Sequence, residues 1–205
     1  RLTDAIEAFR QAIEINPAYA AGYNNLGQTL QRQGDWPGAI NRYERAVEAA
    51  TRAAKLSRGN QAAQMQEWTI VALASDQMNK QAEANSAFRR ALAFNASLPQ
   101  FDPVAAYEYL KVLERDHRDK EAREVTTLIL QRSPEYGPAH LSRAKGFAAE
   151  NKFEEAAKEA EFTLAHLDGG PVVERDAHYL LARLYLRLKQ PALADAHKNW
   201  LTAHP

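Results

Sequence analysis

Apolar and small residues recur along this chain at helical spacing, and the pattern itself repeats. The positions of the clearest copy are Tyr23, Leu26, Gly27 and Leu30, followed by Ala39, Tyr43 and Ala46. Spacings of three and four residues place such side chains on one face of a helix. The Gly34-Asp35 turn separates the two groups, and Trp36 follows it. The pattern therefore predicts a pair of antiparallel helices, recurring roughly every 34 residues.

Echoes of this helix pair run from one end of the chain to the other. Asn16-Pro17 and Ser133-Pro134 each mark the end of a predicted helix, because the residue before a proline disfavours helical geometry. The predicted divisions are a half repeat at 1–17 and repeats at about 18–60, 61–102, 103–136, 137–171 and 172–205. We interpret residues 1–205 as a single repeat domain.

Several segments depart from the regular pattern. The second helix of the clearest copy lacks its proline stop, so we expect it to run on to about Leu56, with Ser57 to Asn60 ending it. A longer loop is predicted from Asn95 to Pro103, and a break at Asp168 to Pro171. In the later copies the turn glycine is replaced by His117, Asn151 and Lys189. Large residues are expected to fill the space between helices, namely Trp36, Tyr43 and Phe88.

These motifs resemble the tetratricopeptide repeat (TPR) family over essentially the whole chain, most specifically in the copy that contains Gly27 and Trp36. The resemblance implies an all-α fold, a right-handed superhelical solenoid of about five and a half antiparallel helix pairs. It also implies a concave groove, lined by the first helix of each pair, that holds a peptide or protein partner. Sel1-like and other α-helical repeats are the alternative architecture.

The family lines its groove from set positions of each first helix. Carried onto this chain, those positions and their neighbours are Asn24, Asn25, Gln28, Gln31, Arg32, Tyr107, Lys111, Lys145, Tyr179 and Arg183. The N-terminal part would be rich in amides. The C-terminal part would carry three cations interleaved with two tyrosines, a surface that suits a segment with acidic groups and apolar anchors. Alternatively, the three cations are ordinary solvated charges.

One known binding mode of the family does not fit this sequence. A carboxylate clamp for chaperone C-termini needs basic residues on the next first helix, and Thr69 and Leu73 occupy those positions, although Asn25 matches the clamp's asparagine. A co-chaperone role is therefore not expected. The function predicted is a binding scaffold or adaptor. The alternative is a non-catalytic regulatory or assembly arm of a larger enzyme or secretion machine.

Composition narrows the chemistry further. Lys plus Arg and Asp plus Glu both total 26, and neither half has the basic excess that nucleic acid or an anionic membrane would require. The chain has no cysteine, which excludes disulfides and thiolate sites. No nucleophile motif, phosphate loop or metal-binding histidine motif is present, so we expect neither an enzyme nor a cofactor or metal. The six histidines, among them His140 and His178, are expected to pack between helices or lie on the surface.

Both ends of the predicted solenoid look open. Arg1 begins partway into a repeat, and Trp200 and Leu201 lie on a last helix with no capping helix after it. We interpret the chain as a piece of a longer protein. The alternative is that self-association covers the open ends. No apolar run approaches the roughly 20 residues of a membrane span and no targeting signal is visible, so the compartment is left undetermined.

Overall fold

The structure is a computed structural model that describes residues 1–204, and helices account for most of that part of the chain. They are α1 (Leu2–Ile15), α2 (Ala20–Gln33), α3 (Trp36–Leu56), α4 (Gln61–Gln77), α5 (Gln81–Ser97), α6 (Pro103–Arg115), α7 (Asp119–Arg132), α8 (Gly137–Ala149), α9 (Phe153–Ala165), α10 (Gly170–Arg187) and α11 (Pro191–Ala203). No strand occurs within residues 1–204, so the predicted all-α class is confirmed. No helix there has the length and apolarity needed to cross a membrane.

The helices group into two compact units, Arg1–Ala105 and Ala106–Pro205. In the first unit α2 packs against α3, and α4 against α5. In the second unit α8 packs against α9, and α10 against α11. These are helix pairs joined by tight turns, as the repeat pattern predicts. A single domain spanning residues 1–205 stays a prediction.

The same turn follows each first helix of a pair. Its central residue has a positive φ in all five pairs, at Gly34, Asn79, His117, Asn151 and Lys189. Glycine adopts this left-handed conformation freely, whereas a residue with a side chain pays roughly 1 kcal/mol for it. The three residues predicted to replace the turn glycine therefore do occupy its backbone position. The helices on either side determine the turn more strongly than the residue type does.

The overlong helix predicted from Trp36 to about Leu56 is confirmed. Asp35 caps the start of α3, because its Oδ1 accepts a hydrogen bond from the Gly38 amide at 3.0 Å. The added turns stay buried along one face through Ala50 and Ala54, which lets α3 pack against α4 over a greater length. Leu56, at the end, is exposed.

The core of the first unit contains the predicted stripe, with one exception. Tyr43 and Phe88 are fully buried, as expected. The prediction that Trp36 fills the space between helices is wrong, since its side chain is 55% exposed. Trp36 is the first residue of α3 and lies one turn before the inward-facing residues begin at Ala39, so neighbouring helices do not enclose its ring. Ile40, one turn further on, is exposed beside it.

Two of the predicted loops have different bounds in the structure: the first is shorter, and the second is shifted by two residues towards the N-terminus. Helix α5 continues to Ser97 and leaves only residues 98–102 between it and α6. Asn95, which the sequence suggested as the start of the loop, is buried in the helix. Its Nδ2 donates to the Asp102 carbonyl at 2.7 Å and its Oδ1 accepts from the Asp102 amide at 2.8 Å. At the other site α10 already begins at Gly170, so the break covers residues 166–169.

The second unit has a core of small and aliphatic residues. Ala144, Ala156 and Ala160 let helix axes approach closely, and Leu181 and Tyr185 fill the remaining space. Such alternation of small and large residues allows close packing with few voids. The core holds α8, α9, α10 and α11 in fixed register, which positions the side chains on the opposite face of α8 and α10.

Candidate functional site

The groove residues predicted on α2 are only partly available to a partner. Asn24 is buried, and its Oδ1 has no hydrogen-bond partner among residues 1–204. Gln31 accepts a 2.6 Å hydrogen bond from the Tyr43 hydroxyl. Burial raises the pKa of Tyr43 to about 12, with a smaller opposing effect from Arg32, so the hydroxyl remains a donor at neutral pH.

The other three predicted residues of this helix reach solvent. Asn25 and Gln28 are half-buried, and Arg32 is exposed. The α2 face of the first unit therefore offers two amides and one guanidinium for contact, a smaller polar surface than the sequence suggested.

A cleft of about 700 Å³ opens in the second unit, between α6, α7, α8 and α10. Three predicted groove residues, Tyr107, Lys111 and Lys145, line it. Five basic and four acidic side chains share its walls with apolar ones, including Phe147 and Val173. A volume of several hundred Å³ lined by apolar groups with a few charged ones is typical of ligand sites.

Two of the three predicted cations already form ion pairs with acidic side chains of the same unit. The Lys145 ammonium lies 3.5 Å from Glu114 Oε2 and 3.8 Å from Asp176 Oδ2. Lys111 contacts Glu108 Oε1 at 2.9 Å, and its ammonium stands 5.6 Å from the centre of the Tyr107 ring. These exposed pairs are weak individually, but they reduce the local excess of positive charge.

The electrostatics around Tyr107 agree with that arrangement. Burial, and then the carboxylates of Glu114, Asp176 and Glu108, together raise the pKa of Tyr107 to about 12. Its ring meets Tyr136 edge to face, with the centroids 5.9 Å apart. The ring is thus held by the protein itself, next to carboxylates as well as lysines.

Tyr179 and Arg183 form a contact of their own on α10. The Arg183 guanidinium lies 5.6 Å from the centre of the Tyr179 ring, an i,i+4 cation–π geometry. Tyr179 is 57% exposed. The structure therefore brings Tyr107, Lys111 and Lys145 together at the cleft, while the other two predicted residues make a separate exposed pair.

A polar network that the sequence analysis missed lies in the wall of the cleft. The Ser142 hydroxyl donates to Glu114 Oε1, and the Thr126 hydroxyl meets that of Ser142 at 3.3 Å. This network ties α6, α7 and α8 together near the middle of α7. The sequence offers one signal for this network, namely the position of Glu114 three residues after Lys111. Ser142 and Thr126 are distant from Glu114 in the chain, so no local pattern links them.

Part of the cleft is lined by residues of α7 and α8, and we call that part the wedge. Arg123, on the first turns of α7, and Gly146, near the end of α8, both line it. A Cβ built on Gly146 would meet no atom within 4 Å. Arg123 makes no ion pair or hydrogen bond through its guanidinium to the described part of the chain. A glycine inside a helical pattern was the available signal for this opening.

His140 and His178 pack between helices, as predicted. His140 stacks on Phe162 and bonds through its two ring nitrogens with Glu159 at 2.6 Å and the Pro134 carbonyl at 2.7 Å. His178 stacks on Trp200 with the ring centroids 3.8 Å apart, so Trp200 is partly covered within the chain. Within residues 1–204 no three metal-binding side chains come together.

Comparison with known proteins agrees with the helix-pair architecture. A family model described as TPR repeat matches residues 1–34, and another described as tetratricopeptide repeat matches residues 24–103. Together they span about half of the chain. Tetratricopeptide repeat protein 36 from Homo sapiens is 49% identical over 47 residues, which covers 23% of this chain and 25% of that protein.

Solved structures share the fold over nearly the whole chain. BtubC from P. vanneervenii superposes with a TM-score of 0.69 at 16% identity, covering 98% of this chain and 87% of that one. YrrB, described as a TPR protein with an unusual peptide-binding site, gives a TM-score of 0.52 at 20% identity, covering 94% and 89%. With its repeat motifs, its family matches and this shared fold, the chain belongs to the tetratricopeptide repeat family.

Proposed function

We propose that this chain is a protein-binding scaffold whose second unit holds an extended peptide segment of a partner protein in the cleft beside Lys111 and Lys145. The observation that carries the proposal is the cleft itself, about 700 Å³ in volume. It combines apolar walls with charged groups of both signs, which suits a peptide carrying both kinds of side chain.

The exposed apolar surface at the cleft supports a peptide rather than a small polar ligand. Val172 is 73% exposed, while Val173 beside it is buried, and both line the cleft with Phe147. An apolar side chain placed there would remove this surface from water, at about 25 cal/mol per Å². Micromolar binding, about 8 kcal/mol, is the strength expected of such a contact.

The description of YrrB gives independent support at the level of the fold. That protein is described as having a peptide-binding site, and it is built from the same kind of helix pairs. Fold likeness alone does not transfer a ligand, so the proposal for this chain depends on its own cleft. The α2 residues Asn25, Gln28 and Arg32 remain a proposed second contact surface on the first unit.

The ion pairs of Lys145 make charge reversal at the cleft an unsuitable test of the proposal. Reversing Lys145 to glutamate would place a third carboxylate beside Glu114 and Asp176, and like charges at such distances would destabilise the unit whether or not a partner binds there. A charge-reversal experiment at that lysine would therefore confuse folding with binding. Locating the bound peptide directly avoids this difficulty.

The test uses a library of random twelve-residue peptides displayed on phage and selected on the 205-residue chain. Selected peptides are then made with a photoreactive phenylalanine analogue, cross-linked, and located by mass spectrometry of the digested protein. We expect cross-links in α6, α7, α8 and α10, the helices that line the cleft. Failure to select any peptide, or cross-links confined to helices other than these four, would contradict the proposal.

A further inference from the structure

The wedge between α7 and α8 contains open space next to a helical glycine, Gly146. Gly146 is the tenth of the thirteen residues of α8 and faces the cleft. Nothing lies within 4 Å of the position its Cβ would take. Glycine in a helix interior costs about 0.5–1 kcal/mol relative to alanine, and the structure shows no close approach inside the chain that would require it.

Apolar residues surround this opening. Ala122 on α7 and Phe147 and Ala149 on α8 line the same cleft, and Ala122 is buried. The small alanines leave room beside the glycine, and the phenylalanine ring supplies a large apolar surface. A bulky apolar side chain entering here would contact both helices and complete the packing between them.

Unpaired hydrogen-bond donors lie at the same opening. Arg123 is exposed, and its guanidinium has no partner among the described residues; it is close enough to Glu150 to lower the pKa of that carboxyl, although Lys152 lowers it more. Arg143 also lines the cleft. Its Nη2 bonds Glu159 at 2.7 Å, but its Nε is buried and lacks a partner in residues 1–204. The exposed, unpaired guanidinium of Arg123 therefore favours a negatively charged ligand group.

We propose that the partner's peptide places one large apolar side chain over Gly146, in the wedge between α7 and α8, and pairs a neighbouring carboxylate with Arg123. This inference rests on the proposed function and adds the chemistry of the partner: an apolar anchor next to Asp or Glu. Gly146 then determines specificity, because the absence of a side chain at this position leaves the space that the anchor fills.

The carboxylate of the peptide is therefore assigned to Arg123 and not to Lys111 or Lys145. Both lysines already contact carboxylates of this unit, whereas Arg123 does not. Asp119 also lines the cleft, one turn before Arg123. The carboxylate of the peptide is therefore expected near Arg123 and away from Asp119.

The first experiment measures binding of the phage-selected peptides to Gly146 variants by fluorescence anisotropy. Gly146→Leu places a side chain in the open space and should weaken binding at least about tenfold, the loss expected when an anchor pocket is filled. Gly146→Ala is the matched control, because it adds one methyl group, and its affinity should stay within about threefold of wild type. Equal affinity of wild type and Gly146→Leu would overturn the anchor site.

The second experiment pairs Arg123→Gln with a Glu-to-Gln change beside the anchor in the peptide. Each change alone should weaken binding about three- to tenfold, and the second should add little once the first is present. Lys158→Gln, an exposed cation on α9, is the control and should leave affinity unchanged. Independent effects of the two changes, or selected peptides that prefer Lys beside the anchor, would overturn the pairing with Arg123.

The outcomes separate this inference from the broader proposal. If peptides are selected and cross-link to α6, α7, α8 and α10, but bind all these variants equally, the cleft function stands and the Gly146 and Arg123 sites are wrong. If the wild-type chain selects no peptide, both fail. Thermal denaturation of each variant shows that the loss of affinity does not come from unfolding.

Discussion

Two helical glycines, Gly146 and Gly27, should respond in opposite ways to the same substitution. A Cβ at Gly146 meets nothing within 4 Å, whereas a Cβ at Gly27 would lie 2.7 Å from Tyr43 Cε1 and 2.8 Å from Cδ1. The Tyr43 ring is 1% exposed and its hydroxyl is held by Gln31, so it has little freedom to move away. The outcome at each position therefore depends on the space around it.

The structure also gives the magnitudes. Gly146→Ala should raise the free energy of unfolding by about 0.5–1 kcal/mol, because alanine loses less backbone entropy in a helix. Gly27→Ala gains the same propensity but forces the buried ring to shift, which costs about 1–3 kcal/mol. Its net effect should be destabilising by up to roughly 2 kcal/mol. For a unit of about 100 residues, 1 kcal/mol moves Tm by about 4–8 °C.

The assay is urea and thermal denaturation followed by far-UV circular dichroism, with wild type and both variants measured side by side. We expect Gly146→Ala to melt a few degrees above wild type and Gly27→Ala below it. Destabilisation by Gly146→Ala would refute the reasoning, because it would mean that the space over Gly146 is filled by the chain itself. Stabilisation by Gly27→Ala would show that the Tyr43 ring is not fixed.

Three further predictions concern the exposed Trp36, the loop held by Asn95 and the buried imidazole of His178. Trp36→Ala should cost only about 1 kcal/mol, since the ring is 55% exposed; a loss of 3–5 kcal/mol in chemical denaturation, typical of a buried aromatic, would contradict this. Asn95→Ala should cost about 2 kcal/mol, because two backbone groups of Asp102 lose their partner; unchanged stability would mean that water replaces the amide. Burial, and then the neighbouring His197, lowers the pKa of His178 to about 4. Between pH 6.5 and pH 4 the imidazole of His178 is protonated in the unfolded chain but stays neutral in the folded one. The neutral imidazole therefore contributes its full stability above pH 6.5, and this contribution is lost as the pH falls from 6.5 to 4. The fall in Tm from pH 7 to pH 5 should be smaller in His178→Phe than in wild type, and an equal fall would exclude His178 as its source.

Parts of the candidate site were open to prediction from the sequence, and parts were not. Lys111 and Lys145 were placed at the groove because their positions follow from the repeat period. Their neutralisation by Glu108, Glu114 and Asp176 was not foreseen. Asp176 comes from a different helix pair than Lys145, and a pattern within one repeat contains no information about contacts between repeats.

The sequence by itself determined the helix pairs, their turns and the long α3. These features depend on residues close together in the chain: the apolar spacing of three and four, the Asp35 cap and the missing proline before Leu56. Even His117 and Lys189 could be assigned to turns, because the helices before and after them define the position. The same local signals placed Tyr43 and Phe88 in the core.

Only the tertiary structure decided which of these residues are enclosed and which are free. Trp36 and Tyr43 both belong to the repeat motif, yet one is exposed and the other buried, because burial depends on which neighbouring helix reaches the position. Gly27 and Gly146 are both helical glycines, but one touches an aromatic ring and the other faces an open wedge. The physical reason is that helix formation is a local property of the chain, whereas packing, ion pairing and open space arise from segments that meet only after the chain has folded.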